Sequence, residues 1–351
     1  MTSDLLNKEF TGKKILVTGG AGSIGSELVK CLLKYDPEVI RILDINETGL
    51  FELEQHCGGN ENKIRMLIGD IRDKNRVTRA MQGIDFVFHA AALKHVYINE
   101  YTPSEAINTN VIGTQNVINA AIENNVYKMI TISTDKAVNP TSVMGTTKLL
   151  AEKITSAAEY YRGTSRTVFA SVRFGNVLIS RGSVIPLFLN QISLGGPVTI
   201  TDPKMTRFII PTDKAIELIL QATAFAKGGE TFILRMPSVK ILEMAEVLIE
   251  LYGPKYGYLP DKIKIKTIGA KMGEKIHESL LTDYEKMHAR VVDGKLIVID
   301  PLIRSLRGLE SDKNEKAFAE EGSTLNTINN KSDIKTLTKD EIRKLLLEVL
   351  K

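Results

Sequence analysis

A chain of 351 residues, 43% hydrophobic and 25% charged, has the composition of a folded globular protein long enough for one main core and a second lobe. Its 46 basic and 42 acidic residues are interspersed and leave a net charge of only +4, which argues against nucleic acid as the main partner. Two cysteines, Cys31 and Cys57, fit no metal or redox spacing, and no apolar run approaches the ~18 residues needed to span a bilayer.

Met1 to Phe10 lacks the apolar stretch of a signal peptide, so a cytoplasmic setting without membrane insertion is expected. The first strand is Lys14-Ile15-Leu16-Val17-Thr18. It ends in a glycine turn, Gly19-Gly20-Ala21-Gly22-Ser23-Ile24-Gly25, that passes into apolar positions at helical spacing. Such a turn lets backbone N–H groups approach a pyrophosphate, which the helix N-terminus then attracts. A second strand, Val39 to Leu43, ends at Asp44. An acid here accepts from adenosine ribose hydroxyls and repels a 2′-phosphate, so NAD is expected over NADP, although Arg41 stands nearby. Ile64 to Ile68 leads to Asp70 and Ile71, with Asp70 placed to accept from an adenine amine. Asp85 to His89 leads to Ala90, Ala91 and Ala92, small residues that let the backbone pass close to a cofactor. His89 reads as a packed residue closing its strand. Five histidines offer no helical ligand pair, so no metal is expected.

Lys128 to Ile132 leads into Ser133, and strand–helix alternation of this kind implies a parallel sheet covered on both faces. After Ser133 come Thr134, Asp135 and Lys136, then a helix on which Met144 and Lys148 share one face. Met144 stands where a short-chain dehydrogenase would carry a proton-exchanging tyrosine. Lys148 is expected at the nicotinamide ribose. Lys136 is expected to serve as a base and Asp135 as a protonated acid in a dry site. Neighbours on a regular strand point opposite ways, so both can face one substrate only if the strand stops near Ser133-Thr134.

These residues carry a resemblance. Ala92-Leu93-Lys94-His95-Val96, Asn108-Thr109-Asn110-Val111-Ile112-Gly113-Thr114, Ser133-Thr134-Asp135-Lys136-Ala137 and Met144-Gly145-Thr146-Thr147-Lys148 resemble the motifs of nucleotide-sugar 4,6-dehydratases among the extended short-chain dehydrogenases. So do Arg173-Phe174-Gly175-Asn176-Val177, Arg181-Gly182-Ser183-Val184-Ile185-Pro186 and Gly273-Glu274-Lys275. The resemblance is greatest to the UDP-N-acetylglucosamine 4,6-dehydratases of glycan biosynthesis. It implies C4 oxidation by a tightly held, recycled NAD, C5 proton removal by Lys136, protonation of the departing C6 hydroxyl by Asp135, and hydride return to C6. Thr134 would hydrogen-bond the C4 oxygen. It further implies Lys94, Asn110 and Ser133 at the cofactor. Lys94, His95, Asn176, Arg181, Ser183, Thr199, Arg207 and Glu274 are implied at the sugar nucleotide. Retention at C5 is expected, with inversion, a GDP-linked substrate or a 4-epimerase as the alternatives.

The fold class expected is α/β. A Rossmann-type doubly wound parallel sheet would occupy 1–175, with later strands returning from about 205–236. A smaller α/β substrate lobe would occupy 176–303, and 304–351 would form a polar connector and C-terminal helix. Arg181, Ser183, Lys204 and Arg207 supply donors suited to a diphosphate, and Val198 to Thr201 backbone groups suited to a uracil edge. Thr338-Lys339-Asp340-Glu341 reads as a capping box before a helix with Ile342, Leu345, Leu346 and Val349 on one stripe. That helix is expected to dock on its own subunit or on a neighbour in a homo-oligomer.

Overall fold

The computed structural model describes residues 2–292, 296–301 and 335–350. In chain order the strands are β1 (Lys14–Thr18), β2 (Val39–Asp44), β3 (Ile64–Ile68), β4 (Phe86–His89), β5 (Lys128–Thr134), β6 (Val168–Phe174) and β7 (Asn176–Val177). They continue as β8 (Val198–Ile200), β9 (Thr206–Ile210), β10 (Thr231–Leu234), β11 (Ser238–Lys240), β12 (Ile265–Thr267), β13 (Ala289–Val292) and β14 (Leu296–Ile299). The main sheet runs β13-β14-β10-β6-β5-β4-β1-β2-β3. From β3 to β10 every pairing is parallel, and β14 and β13 close that edge antiparallel. This is the doubly wound α/β arrangement expected from sequence.

The strands read as continuous apolar runs because both faces are covered, so alternate residues enter different cores. Ile15 and Val17 pack with Leu28, Val29, Ile216 and Ile219 on one side. Leu16 between them packs with Val77, Val117, Ile118 and Ala158 on the other. The helices Ser23–Leu33 and Thr212–Phe225 cover the first face, and Lys74–Ala80, Thr114–Glu123 and Val143–Tyr161 the second. An opening helix, Thr2–Phe10, went unread in the sequence. Its Phe10 is fully buried, edge-on to Phe86 at a centroid distance of 5.3 Å.

The lobe boundary differs from the sequence reading. Of the stretch 205–236, β9 belongs to a small sheet with β11 and β7, while the helix Thr212–Phe225 and β10 return to the main body. Residues 289–299, expected in the substrate lobe, form β13 and β14 of the main sheet. The apolar run Leu296–Ile299 finds its partner across β10 by antiparallel pairing, a long-range contact without a local signature. The second lobe has its own core around Phe188, Ile192, Val247 and Leu248. The last helix, Lys339–Val349, starts with the expected Thr338–Glu341 capping box, and its Ile342 and Leu346 are buried against that core. The expected connector from 304 to 333 lies outside the described residues. Among the described residues no helix is long and apolar enough to cross a membrane.

Candidate active site

Chain order reverses between β1 and β4, and a cleft of about 760 Å³ opens there, across the carboxyl ends of the strands. Gly19 has φ of +69°, and a Cβ on it would lie 2.5 Å from Ala91 N, so the loop admits no larger residue. Gly22 is the N-cap of the helix Ser23–Leu33, and no side chain caps that helix. Its first-turn N–H groups remain available to a pyrophosphate beside Ser23, Ile24 and Gly25, which line the cleft. Asp44 closes β2 on the same wall. Its Oδ2 accepts from Ala21 N at 3.0 Å and its Oδ1 from Asn46 N at 2.9 Å, so it braces the glycine turn as well as facing the cleft. Arg41 points away and donates to the Ala80 and Gln82 carbonyls.

Asp70 and Ile71 line the next part of the wall. Asp70 binds Arg72 through both the backbone N and the guanidinium of that residue, and Arg72 reaches Glu105 at 2.7 Å. Burial would raise the Asp70 carboxyl, but Arg72 holds it below the usual carboxylate range. Sequence reading missed Arg72 and Glu105, both of which line the cleft.

Ala90, Ala91, Ala92, Lys94 and His95 follow β4 into the cleft. The loop is held from behind by Asn110, which is 1% exposed and is not part of the wall. Its amide accepts from Leu93 N at 2.8 Å and donates to Leu93 O and to Thr147 Oγ1, each at 3.0 Å. Expected at the cofactor, Asn110 acts instead as a strut behind it. It lies on a π-helical stretch, Ile107–Gly113, the kind of helix irregularity common at functional sites. His89 lies behind the same wall between the Thr18 and Thr114 hydroxyls. The Thr114 proton goes to Asn110 O, so His89 Nε2 is the donor toward Thr114. Burial, with the Lys148 charge, pushes its pKa down to about 3, and it stays neutral as a packed residue.

β5 ends at Thr134, and a tight turn, Asp135–Ala137, follows. The strand thus stops where the sequence reading required it to stop. Asp135 Oδ1 accepts from Thr134 Oγ1 at 2.9 Å and from Lys136 Nζ at 3.0 Å. Asp135 is fully buried and lies behind the cleft wall, whereas Thr134 and Lys136 stand on it. The acid expected to touch substrate thus reaches the cleft through its neighbours. Its Oδ2 and the Ser133 hydroxyl are buried without hydrogen-bond partners, as polar atoms awaiting a ligand or relay would be. β6 runs parallel to β5 with Phe174 opposite Thr134, which delivers Asn176 Oδ1 to 3.1 Å from Lys136 Nζ.

Met144 and Lys148 line the cleft one turn apart, as expected. Lys148 donates to Ile132 O at 2.6 Å, and burial pushes its pKa down to about 8, which leaves an ammonium at neutral pH. A Cβ on Gly145 would sit 2.4 Å from the Lys136 carbonyl oxygen. Gly145→Ala is therefore expected to displace the Asp135–Ala137 turn and to lower kcat at least tenfold while cofactor affinity, measured by calorimetry, stays within about threefold of the parent. Unchanged kcat would show the turn is not held this tightly.

Arg181 lines the cleft but is exposed, pairing with Glu52 and accepting from Lys94 Nζ through its carbonyl. Burial and the Arg181 charge lower the Lys94 pKa. The other four substrate candidates stand off the wall. Ser183 begins the helix Val184–Ser193 with its hydroxyl buried and unpartnered. Thr199 is bound at both backbone N and hydroxyl by the Gln191 amide. Arg207 is buried and donates to the Thr206 and Ile276 carbonyls. Glu274 closes its own turn on Lys271 N. Arg173, which sequence reading placed in a motif without a role, is 1% exposed and pairs with Glu152 at 2.6 Å and Glu285 at 2.9 Å.

The family described as polysaccharide biosynthesis protein matches residues 15–300. The chain belongs to that family. An uncharacterized membrane protein of Methanocaldococcus jannaschii is 52% identical over 340 residues, 97% of each chain. The UDP-N-acetylglucosamine 4,6-dehydratase (inverting) of Campylobacter jejuni is 42% identical over 315 residues, 89% of this chain and 90% of that one. The capsular polysaccharide biosynthesis protein CapD of Staphylococcus aureus is 45% identical, but the chain spans only 52% of its length. Other relatives are named UDP-glucose 4-epimerase, among them one of Rickettsia akari at 37% over 346 residues, 96% of each chain. Among solved structures, Pen from Bacillus thuringiensis superposes with a TM-score of 0.85 at 41% identity over 97% of this chain and 98% of that one. The Streptomyces venezuelae dTDP-glucose 4,6-dehydratase DesIV, solved with NAD, shares the fold, with a TM-score of 0.67 at 22% identity over 89% and 99%. The chain is thus a member of a polysaccharide biosynthesis family, and its relatives include proteins named as a nucleotide-sugar dehydratase and as 4-epimerases.

Proposed function

We propose that the protein is a NAD-dependent 4,6-dehydratase of UDP-N-acetylglucosamine. The observation that carries this reading is the hydrogen-bonded Thr134–Asp135–Lys136 cluster at the end of β5, whose Thr134 and Lys136 line the cleft together with Met144. A 4-epimerase has no use for an acid–base pair beside C5 and C6, although relatives named for epimerisation keep that reading as the second one.

The cleft fits a dinucleotide: the uncapped helix at Gly22, the Gly19–Ala91 approach and the Asp44 carboxylate match pyrophosphate and adenosine ribose in turn. A nicotinamide held there would supply the hydride acceptor for C4 and the hydride donor for C6. Lys148, as an ammonium, holds the nicotinamide ribose. Thr134 hydrogen-bonds the C4 oxygen and relays the C4 hydroxyl proton to the Asp135 carboxylate, to which it donates, and the 4-ketone so formed acidifies the C5 proton. Lys136 removes that proton. Asp135 delivers a proton through the Thr134 hydroxyl, 2.9 Å away, to the C6 hydroxyl, which leaves as water. Lys136 then returns its proton to C5 as hydride arrives at C6. Protons and hydride balance, and the net change is loss of one water. Return from the same amine gives retention at C5.

Two tests follow. Mass spectrometry after incubation with UDP-N-acetylglucosamine should find product lighter by one water, and an unchanged mass would overturn the reading. Calorimetry should find NAD bound at least about tenfold tighter than NADP, equivalent to 1.4 kcal/mol, because Asp44 opposes a 2′-phosphate and Arg41 is turned away. Equal affinities would contradict the assignment of Asp44.

A further inference from the structure

Residues 273–278 form a strap between the two lobes. On one side they hold the segment that follows the Lys136 turn: Thr141 Oγ1 donates to Gly273 O at 3.0 Å, and Lys275 Nζ donates to Val138 O at 2.7 Å. On the other they hold β9. Thr206 N donates to Ile276 O at 3.0 Å, the Thr206 hydroxyl lies 2.9 Å from His277 Nδ1, and Arg207 reaches Ile276 O at 3.3 Å. At the end of the strap stands Glu278, its side chain 3% exposed. Its Oε1 lies 3.8 Å from Lys136 Nζ and its Oε2 lies 3.0 Å from Lys275 Nζ.

Lys136 therefore sits between two carboxylates, and the second is itself paired. This matters because Lys136 has to alternate between amine and ammonium. A lone buried carboxylate beside it would favour the ammonium throughout. With Lys275 attached, the strap adds a carboxylate and an ammonium together. Moving one proton from Lys136 to Asp135 across their 3.0 Å hydrogen bond then leaves the cluster uncharged overall in either state.

We propose that Glu278 and Lys275 are a fixed counter-pair, presented by the strap, that positions the Lys136 amine and sets how readily it gives up its proton. Neither lines the cleft, so both act through Lys136 as positioning residues. The inference rests on Lys136 being the C5 base. The charged groups paired with Lys136 are Asp135 on its own turn and Glu278 on the strap, with Lys275 paired to Glu278; Asn176 adds an amide oxygen, and Lys148 from the helix Val143–Tyr161 lines the same cleft.

The two halves of the pair pull in opposite directions, and that makes the test specific. Glu278→Gln removes the attracting charge and leaves Lys275 opposed to the ammonium. Lys275→Met leaves Glu278 unbalanced. The full-length protein is reductively methylated with ¹³C-formaldehyde, which keeps the lysine charge, and the Lys136 signal is assigned by its loss in Lys136→Arg. Its NMR titration midpoint is expected to fall by about one pH unit in E278Q and to rise by about as much in K275M. The acid limb of the kcat–pH profile should move the same ways. A merely structural strap would lower kcat in both variants without opposed shifts, so unmoved midpoints, or midpoints moving together, overturn the proposal. Should E278Q not fold, K275M decides alone: a rise supports the counter-pair and anything else refutes it. The titration needs no turnover, so a parent enzyme that fails to release water would defeat the dehydratase reading while leaving the counter-pair measurable.

Discussion

Lys136→Met is expected to lower kcat by about 10²–10⁴-fold, the range of a lost general base, with NAD affinity nearly unchanged. The separation follows from position. Lys136 hydrogen-bonds Asp135 and Asn176 at the end of the cleft proposed for the substrate, whereas the end proposed for the dinucleotide is built by Gly19, Gly22, Asp44 and Ala90–Ala92. Asp135→Asn should fall similarly, because the amide keeps the contact to Thr134 but carries no acidic proton to donate. The double variant should be little worse than either single one, since the two act as a unit. Melting temperatures within a few degrees of the parent would show that the loss is chemical. Activity in Lys136→Met within tenfold of the parent would remove the base from the mechanism.

Arg173→Met is expected to cost about 3–5 kcal/mol of unfolding free energy, the effect of removing one partner from a buried ion pair. Burial works against its charge, but hydrogen bonds and charge from Glu152 and Glu285 hold the guanidinium well above the usual range. Glu152 comes from the helix that carries Met144 and Lys148, and Glu285 from the first turn of the helix Asp283–Met287, which Thr282 caps. Methionine would leave two buried carboxylates facing each other. Denaturant unfolding measures the loss. A change below about 1 kcal/mol would mean that the clamp is replaceable by packing.

Most of the main sheet was legible in the sequence because each strand ends in a local signal: the glycine turn after Thr18, Asp44 after Leu43, the alanines after His89. The same property made the cleft wall at the glycine turn legible, since ligands in such sheets lie at strand ends. Residues acting from elsewhere in the chain were not legible. Glu278, Lys275 and Glu285 reach the site only through folding of the second lobe, and no spacing relates them to Lys136 or Arg173. Asn110 shows the converse: its motif was visible, but sequence could not tell a ligand contact from a strut one layer behind. Arg207 and Glu274 fall short for the same reason, since motif membership does not specify where a side chain's hydrogen bonds go. The β13–β14 edge was misplaced because antiparallel pairing across a long connection carries no periodic sign.

UDP-N-acetylglucosamine carrying deuterium at C4 provides the most direct measurement. Internal hydride return requires a product lighter by one water that still holds the deuterium, now at C6. A product of unchanged mass with the label back on C4 would mean epimerisation and would contradict the proton roles given to Asp135 and Lys136.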